Sequence, residues 1–126
     1  MKFLEIFRDW ENTEEYDSRT VIFSERDPAD VMYVILSGEI ELTLHGEPLG
    51  AEGEGGIIGE MAMIDSATRS ATATTLGKVK VARLDRDELK ALIAGNPEFS
   101  LHVMAVLANR LRAVDQYIST HLAQLR

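Results

Sequence analysis

Between Thr20 and Leu84 the chain runs through short apolar segments, too brief for helices and broken by turn residues. Thr20-Val21-Ile22-Phe23 is β-branched or aromatic throughout, and Val31 to Leu36 is continuously apolar. Glu39-Ile40-Glu41-Leu42-Thr43-Leu44 alternates strictly. That alternation puts Ile40, Leu42 and Leu44 on one face and the polar residues on the other, the pattern of a strand buried on one side. Ser37-Gly38 supplies the turn before it. Two further strands are expected over Arg69 to Leu76 and Lys78 to Leu84, parted by Gly77. Many short strands with turns between them fold into an antiparallel sandwich or barrel.

Helical periodicity flanks this β region. Phe3, Ile6, Phe7 and Trp10 predict an amphipathic N-terminal helix within residues 2–16. After Leu84, Asp85 with Glu88 three residues on forms a capping box, opening a helix through Ala94 with Gly95 as its C′ residue. Asn96-Pro97 then offers an N-cap and an N1 proline to a last, long helix. In it Met104, Leu107, Leu111, Val114 and Ile118 are spaced 3, 4, 3 and 4 apart, with Leu125 seven beyond and His121 in the polar slot. Such a seam suits a two-stranded coiled coil, hence a homodimer, or burial on the helix's own domain. The organisation expected is one domain over 1–126: an N-terminal helical segment (1–16), a β-barrel (20–84) and C-terminal helices (85–126).

Length and charge narrow the functions open to it. A chain of 126 residues with 45% hydrophobic content reads as one soluble globular domain. A formal net charge of −8 disfavours phosphate-rich partners, so no direct DNA binding and no membrane binding are expected. With no Cys there is no disulfide framework, thiolate metal site or Cys nucleophile. The longest apolar run is too short for a bilayer and charges interrupt the N-terminal stretch, so the protein reads as cytoplasmic.

Two features go beyond core-building. Six of the nine glycines fall between Gly46 and Gly59, which implies a hairpin with bulges or a backbone approached closely by something else. Beyond them, Gly59-Glu60-Met61-Ala62-Met63-Ile64 reads as one helical turn, followed by the small, polar run Asp65 to Thr72. Within that run Arg69 is the only Lys or Arg between Asp27 and Gly77, a span holding nine carboxylates. A guanidinium among small residues can grip two phosphate oxygens while backbone N–H groups close in. It can equally pair with Glu60 or Asp65 for structure alone.

The stretch Gly59-Glu60-Met61-Ala62-Met63 … Thr68-Arg69-Ser70-Ala71-Thr72 resembles the phosphate-binding cassette of the cyclic nucleotide-binding domain family. The nine-residue separation of Glu60 and Arg69 matches it, and Asp30 to Ile40 is similar to the family's strand-turn-strand block. The resemblance spans residues 1 to about 118. It implies a mainly β fold with flanking helices: a double-stranded β-helix (jelly-roll) barrel with an N-terminal helix and a long C-terminal one. It also implies a regulatory sensor that holds a 3′,5′-cyclic nucleotide, cAMP or alternatively cGMP, as ligand and carries no prosthetic group. By the same resemblance Arg69 would bind the cyclic phosphate and Glu60 the ribose 2′-hydroxyl. Gly59, Ala62, Ser70 and Ala71 would line the phosphate side, with Met61 a possible backbone donor. By similarity to bacterial regulators, Val114 and Asp115 would face the base, where the Asp115 carboxylate could accept from either purine.

The cassette departs from the family pattern at Thr68, where proline is usual, and at Ile57-Ile58, where an aromatic residue is frequent. Both a stand-alone sensor and a part of a larger regulator, kinase or channel fit this reading, as does a relative that has lost its ligand and works as an interaction module. A cupin-type metalloenzyme on the same architecture needs clustered inward His ligands. His45, His102 and His121 lie far apart in sequence, and no enzyme activity is expected.

Overall fold

The computed structural model describes residues 2–64 and 68–124. A 3-10 turn over Lys2–Phe7 precedes strands β1 (Thr13–Tyr16), β2 (Val21–Phe23), β3 (Met32–Ser37), β4 (Ile40–Leu44), β5 (Glu47–Glu52) and β6 (Ile57–Ile58). Helix α1 (Met61–Ile64), strands β7 (Thr72–Thr75) and β8 (Val79–Leu84), and helices α2 (Arg86–Gly95) and α3 (Glu98–Gln124) complete the order. The strands pair antiparallel in two four-stranded sheets, ordered β1-β8-β3-β6 and β2-β7-β4-β5. Because the chain crosses between the sheets at nearly every step, it winds the jelly roll that the family resemblance implies.

Two cores explain the strand patterns. Inside the sandwich, Tyr33 and Ile35 of β3 meet Ile40 and Leu42 of β4 and Val81 of β8. On the other side of β3, Met32 and Val34 pack with Phe7, Leu92, Phe99 and Val106 from the terminal segments. Strand β3 is thus buried on both faces, which is why its sequence is a continuous apolar run, whereas β4 has one wet face and alternates. Phe99 has no exposed surface, and its truncation to Ala would cost about 3–5 kcal/mol.

Glycine shapes the barrel where positive φ is required. Gly38 sits at φ +93° in the corner between β3 and β4, where a Cβ would fall 2.4 Å from the Lys78 carbonyl oxygen. The glycine-rich stretch forms β5, with an irregular register opposite Leu42 and Thr43, and then the turn into β6. Pro48 is accommodated because β5 is an edge strand.

The flanking segments depart from the sequence reading in three places. The N-terminal helix stops at Phe7 as a 3-10 turn, and residues 13–16, expected as its end, are strand β1 paired to β8. Thr13-Glu14-Glu15-Tyr16 shows no clear alternation because an edge strand buries little of either face. The capping box of Asp85 and Glu88 is present in both directions. Gly95, however, is the last residue of α2 and not its C′ residue. Asn96 closes that helix instead, its N–H donating to the Leu92 carbonyl at 2.8 Å while its own carbonyl accepts from Phe99 N–H at 2.9 Å. The seam of α3 divides. Leu107 and Val114 turn inward, Leu111 edges the same cavity while staying largely exposed, and Leu101, Met104, Ile118 and Leu122 are exposed. Leu125 lies outside the described residues.

Candidate functional site

The segment between α1 and β7 carries Arg69 into the molecule. Backbone hydrogen bonds clamp it to the β2–β3 connection: Arg69 N–H donates to the Asp27 carbonyl and Arg26 N–H to the Arg69 carbonyl, each at 2.9 Å. Thr68, in the place of the usual proline, bridges Pro28, so tertiary pairing holds the backbone there. The Arg69 side chain is 6% exposed. Its guanidinium carbon lies 4.3 Å from the Phe23 ring centroid and 5.5 Å from that of Tyr33, within cation–π range.

This cation is incompletely satisfied. Nη1 reaches the Gly59 carbonyl oxygen at 3.4 Å, and the buried Nε has no hydrogen-bond partner. No ion pair holds the guanidinium among the described residues. Burial lowers its pKa, while Tyr33, Asp30 and Asp27 favour the charged form. The pairing of Arg69 with Glu60 left open by the sequence is not made. Asp65 lies outside the described residues.

Glu60 is paired elsewhere. Its carboxylate is 3% exposed, and Oε1 lies 3.3 Å from Nε of Arg110 on α3. Arg110 also donates to Glu52 Oε1 at 2.8 Å and to the Ile57 carbonyl at 2.7 Å. His102, two turns earlier on α3, hydrogen-bonds the Gly55 carbonyl at 2.9 Å. Burial pushes the Glu60 carboxyl above the usual carboxylate range, with Arg110 opposing that shift. Sequence reasoning missed Arg110. The available signal was an arginine one turn from Leu107 and from Val114, on the inward face of an otherwise apolar helix stripe.

These groups open onto a cavity of about 500 Å³. Gly59, Glu60, Met61, Arg69, Ser70 and Ala71 line it, as do Thr68 and Arg110. Leu42, Leu44 and Leu49 contribute from the β2-containing sheet, and Leu107, Leu111 and Val114 from α3. Of the remaining expected site residues, Ala62 lies in α1. Asp115 is exposed on α3 and is also outside the lining, unlike its neighbour Val114. Gly59 adopts φ +74°, and a Cβ there would fall 2.5 Å from Arg69 Nη1, so glycine is what lets the guanidinium reach its place. The volume suits a small organic ligand. Arg69, a buried cation with a free donor, suits an anionic group. Among the described residues no group of three or more His, Cys, Asp and Glu could hold a metal ion. Among the described residues no helix is long and apolar enough to cross a membrane.

The cyclic nucleotide-binding domain family matches residues 13–96. A CRP-like cAMP-activated global transcriptional regulator of Mycobacterium tuberculosis is 34% identical over 104 residues, covering 78% of this chain and 46% of the regulator. A cAMP-dependent protein kinase regulatory subunit of Emericella nidulans is 36% identical over 84 residues, 65% of this chain and 20% of that subunit. The chain therefore spans less than half the length of these two relatives. The solved structure of the Thermus thermophilus catabolite activator protein superposes with a TM-score of 0.74 at 27% identity, covering 94% of this chain and 58% of that one. With the family's domain matched over residues 13–96, this chain belongs to the cyclic nucleotide-binding domain family.

Proposed function

We propose that this domain is a cAMP sensor that holds its ligand in the cavity beneath α3 and signals through that helix. The observation that carries the reading is Arg69, a buried cation with an unpartnered Nε facing a small-molecule cavity. A cyclic phosphate diester brings one negative charge and two free oxygens, which complete such a site. Glu60 then accepts from the ribose 2′-hydroxyl, and Gly59, Met61, Ala62, Ser70 and Ala71 surround the phosphate and sugar. The choice of cAMP draws on the names of the Mycobacterium and Emericella relatives. cGMP is the alternative.

Signalling follows from how α3 is attached. Its link to Glu60 runs through Arg110, so a ribose that engages Glu60 changes the partner set of a helix residue. The exposed stripe Leu101, Met104, Leu111, Ile118 and Leu122 is spaced 3, 7, 7 and 4, positions of one heptad seam, which supports a homodimer through α3. The protein acts as a regulatory module and not as an enzyme, working in the cytoplasm without contacting DNA through this domain.

Isothermal titration of the chain with cAMP and cGMP, with Arg69→Ala alongside, tests this. Micromolar or tighter binding that weakens at least about a hundredfold in the variant is expected. Absence of binding by the unaltered chain to either nucleotide overturns the reading.

A further inference from the structure

The charge of Arg69 is buried without a counter-ion among the described residues. What faces its guanidinium instead is aromatic. The central carbon lies over the Phe23 ring, 4.3 Å from its centroid, and 5.5 Å from the centroid of Tyr33. The two rings stack on each other, with centroids 5.9 Å apart and planes 24° from parallel. Phe23 comes from β2 and Tyr33 from β3, so each sheet supplies one ring. Both residues are buried, and Phe23 also lines the cavity.

Carboxylates stand within electrostatic reach of this arginine without pairing to it. Asp27 and Asp30, from the β2–β3 connection, favour its charged form, as does Tyr33. A direct ion pair with either carboxylate would satisfy the cation. It would also occupy N–H donors that an incoming anion needs, and would have to be broken to admit one. The face of an aromatic ring attracts a cation through its quadrupole and leaves those donors uncommitted. We propose that Phe23 is a positioning residue for the anion site: in the empty domain its π face, backed by Tyr33, stands in for the missing anion and holds Arg69 in place at the cavity. That the anion is a cyclic phosphate rests on the sensor reading above, whereas the stack itself does not. The attraction depends on the electrons of the ring and not on its bulk, which separates this role from core packing.

The test prepares the full chain with mono-, di- or trifluorinated phenylalanine in place of Phe23, in the unaltered and Arg69→Met backgrounds, and melts each without ligand. Fluorine withdraws electron density from the ring face while nearly keeping its shape. With Arg69 present, the melting temperature is expected to fall in steps with each added fluorine, by about 3 °C in all. In Arg69→Met the series should stay level, since the coupled partner is gone. A level series in both backgrounds, or equal slopes in the two, overturns the inference whatever the chain binds. Titration of the unaltered chain with cAMP and cGMP decides the sensor reading separately. If neither nucleotide binds, a slope that requires Arg69 still assigns the Phe23 ring to the cation.

Discussion

Nε of Arg110 lies 3.3 Å from Oε1 of Glu60, tying the long C-terminal helix to the buried carboxylate at the mouth of the cassette. The same guanidinium holds Glu52 and the Ile57 carbonyl, so one side chain joins α3 to β5, β6 and the start of α1. Arg110→Met removes all three attachments and leaves Glu60 buried without its partner. We expect a loss of about 2 kcal/mol in urea unfolding, less than the roughly 3–5 kcal/mol of a fully buried pair because the Arg110 side chain is itself 20% exposed. Faster amide exchange along α3 should accompany it.

Arg69 should trade stability for binding. A cation that is buried, incompletely hydrogen-bonded and without an ion pair among the described residues costs the free fold energy. Arg69→Met should raise the melting temperature of the ligand-free chain by a few degrees while abolishing cAMP binding. Arg69→Lys, which keeps the charge but loses the fork and the stacking on Phe23, should also bind at least about tenfold more weakly. A ligand-free chain that melts lower in Arg69→Met would show that the arginine supports the fold.

Glu60 should leave a signature in the pH dependence of stability. Burial raises its folded-state pKa above the ordinary 4.5, so between those two values the folded chain binds more protons than the unfolded one. Stability contributed by this group therefore grows as pH falls through the raised pKa and diminishes as pH rises. Comparing melting temperatures of the unaltered chain and Glu60→Gln from pH 7 to pH 5, the difference should move in favour of the unaltered chain as the solution becomes more acidic.

Two glycines with positive φ should fail differently. Gly38→Ala puts a Cβ 2.4 Å from the Lys78 carbonyl, a backbone atom that cannot yield, and should cost more than about 2 kcal/mol of stability. Gly59→Ala meets the Arg69 side chain at 2.5 Å and should displace it. Its effect on cAMP affinity should exceed its effect on thermal unfolding.

The exposed stripe of α3 predicts that Ile118→Glu, which is not itself a lining residue, converts a dimer to a monomer in size-exclusion with light scattering. Binding of the nucleotide by the monomer should remain measurable.

Much of this fold was readable along the chain, because the information was local. Alternation over Glu39 to Leu44, the uninterrupted run of β3 and the Asp85–Glu88 capping box each depend on neighbours within a few residues, and each forms as the pattern implies. The grouping of Gly59, Glu60 and Arg69 around one cavity was suggested for a similar reason: they sit ten residues apart at most, and an isolated arginine among carboxylates is visible without a fold. Strand β1 and the two-way division of the α3 seam were not legible. Edge pairing buries too little of Thr13 to Tyr16 to leave a periodic trace, and a stripe of leucines cannot say which of its rows meets the barrel. Whether Glu60 would pair with Arg69 or with Arg110 was equally beyond reach of spacing. That outcome depends on where a helix fifty residues downstream crosses the cavity, and long-range packing, not sequence distance, brings those charges within 3.3 Å.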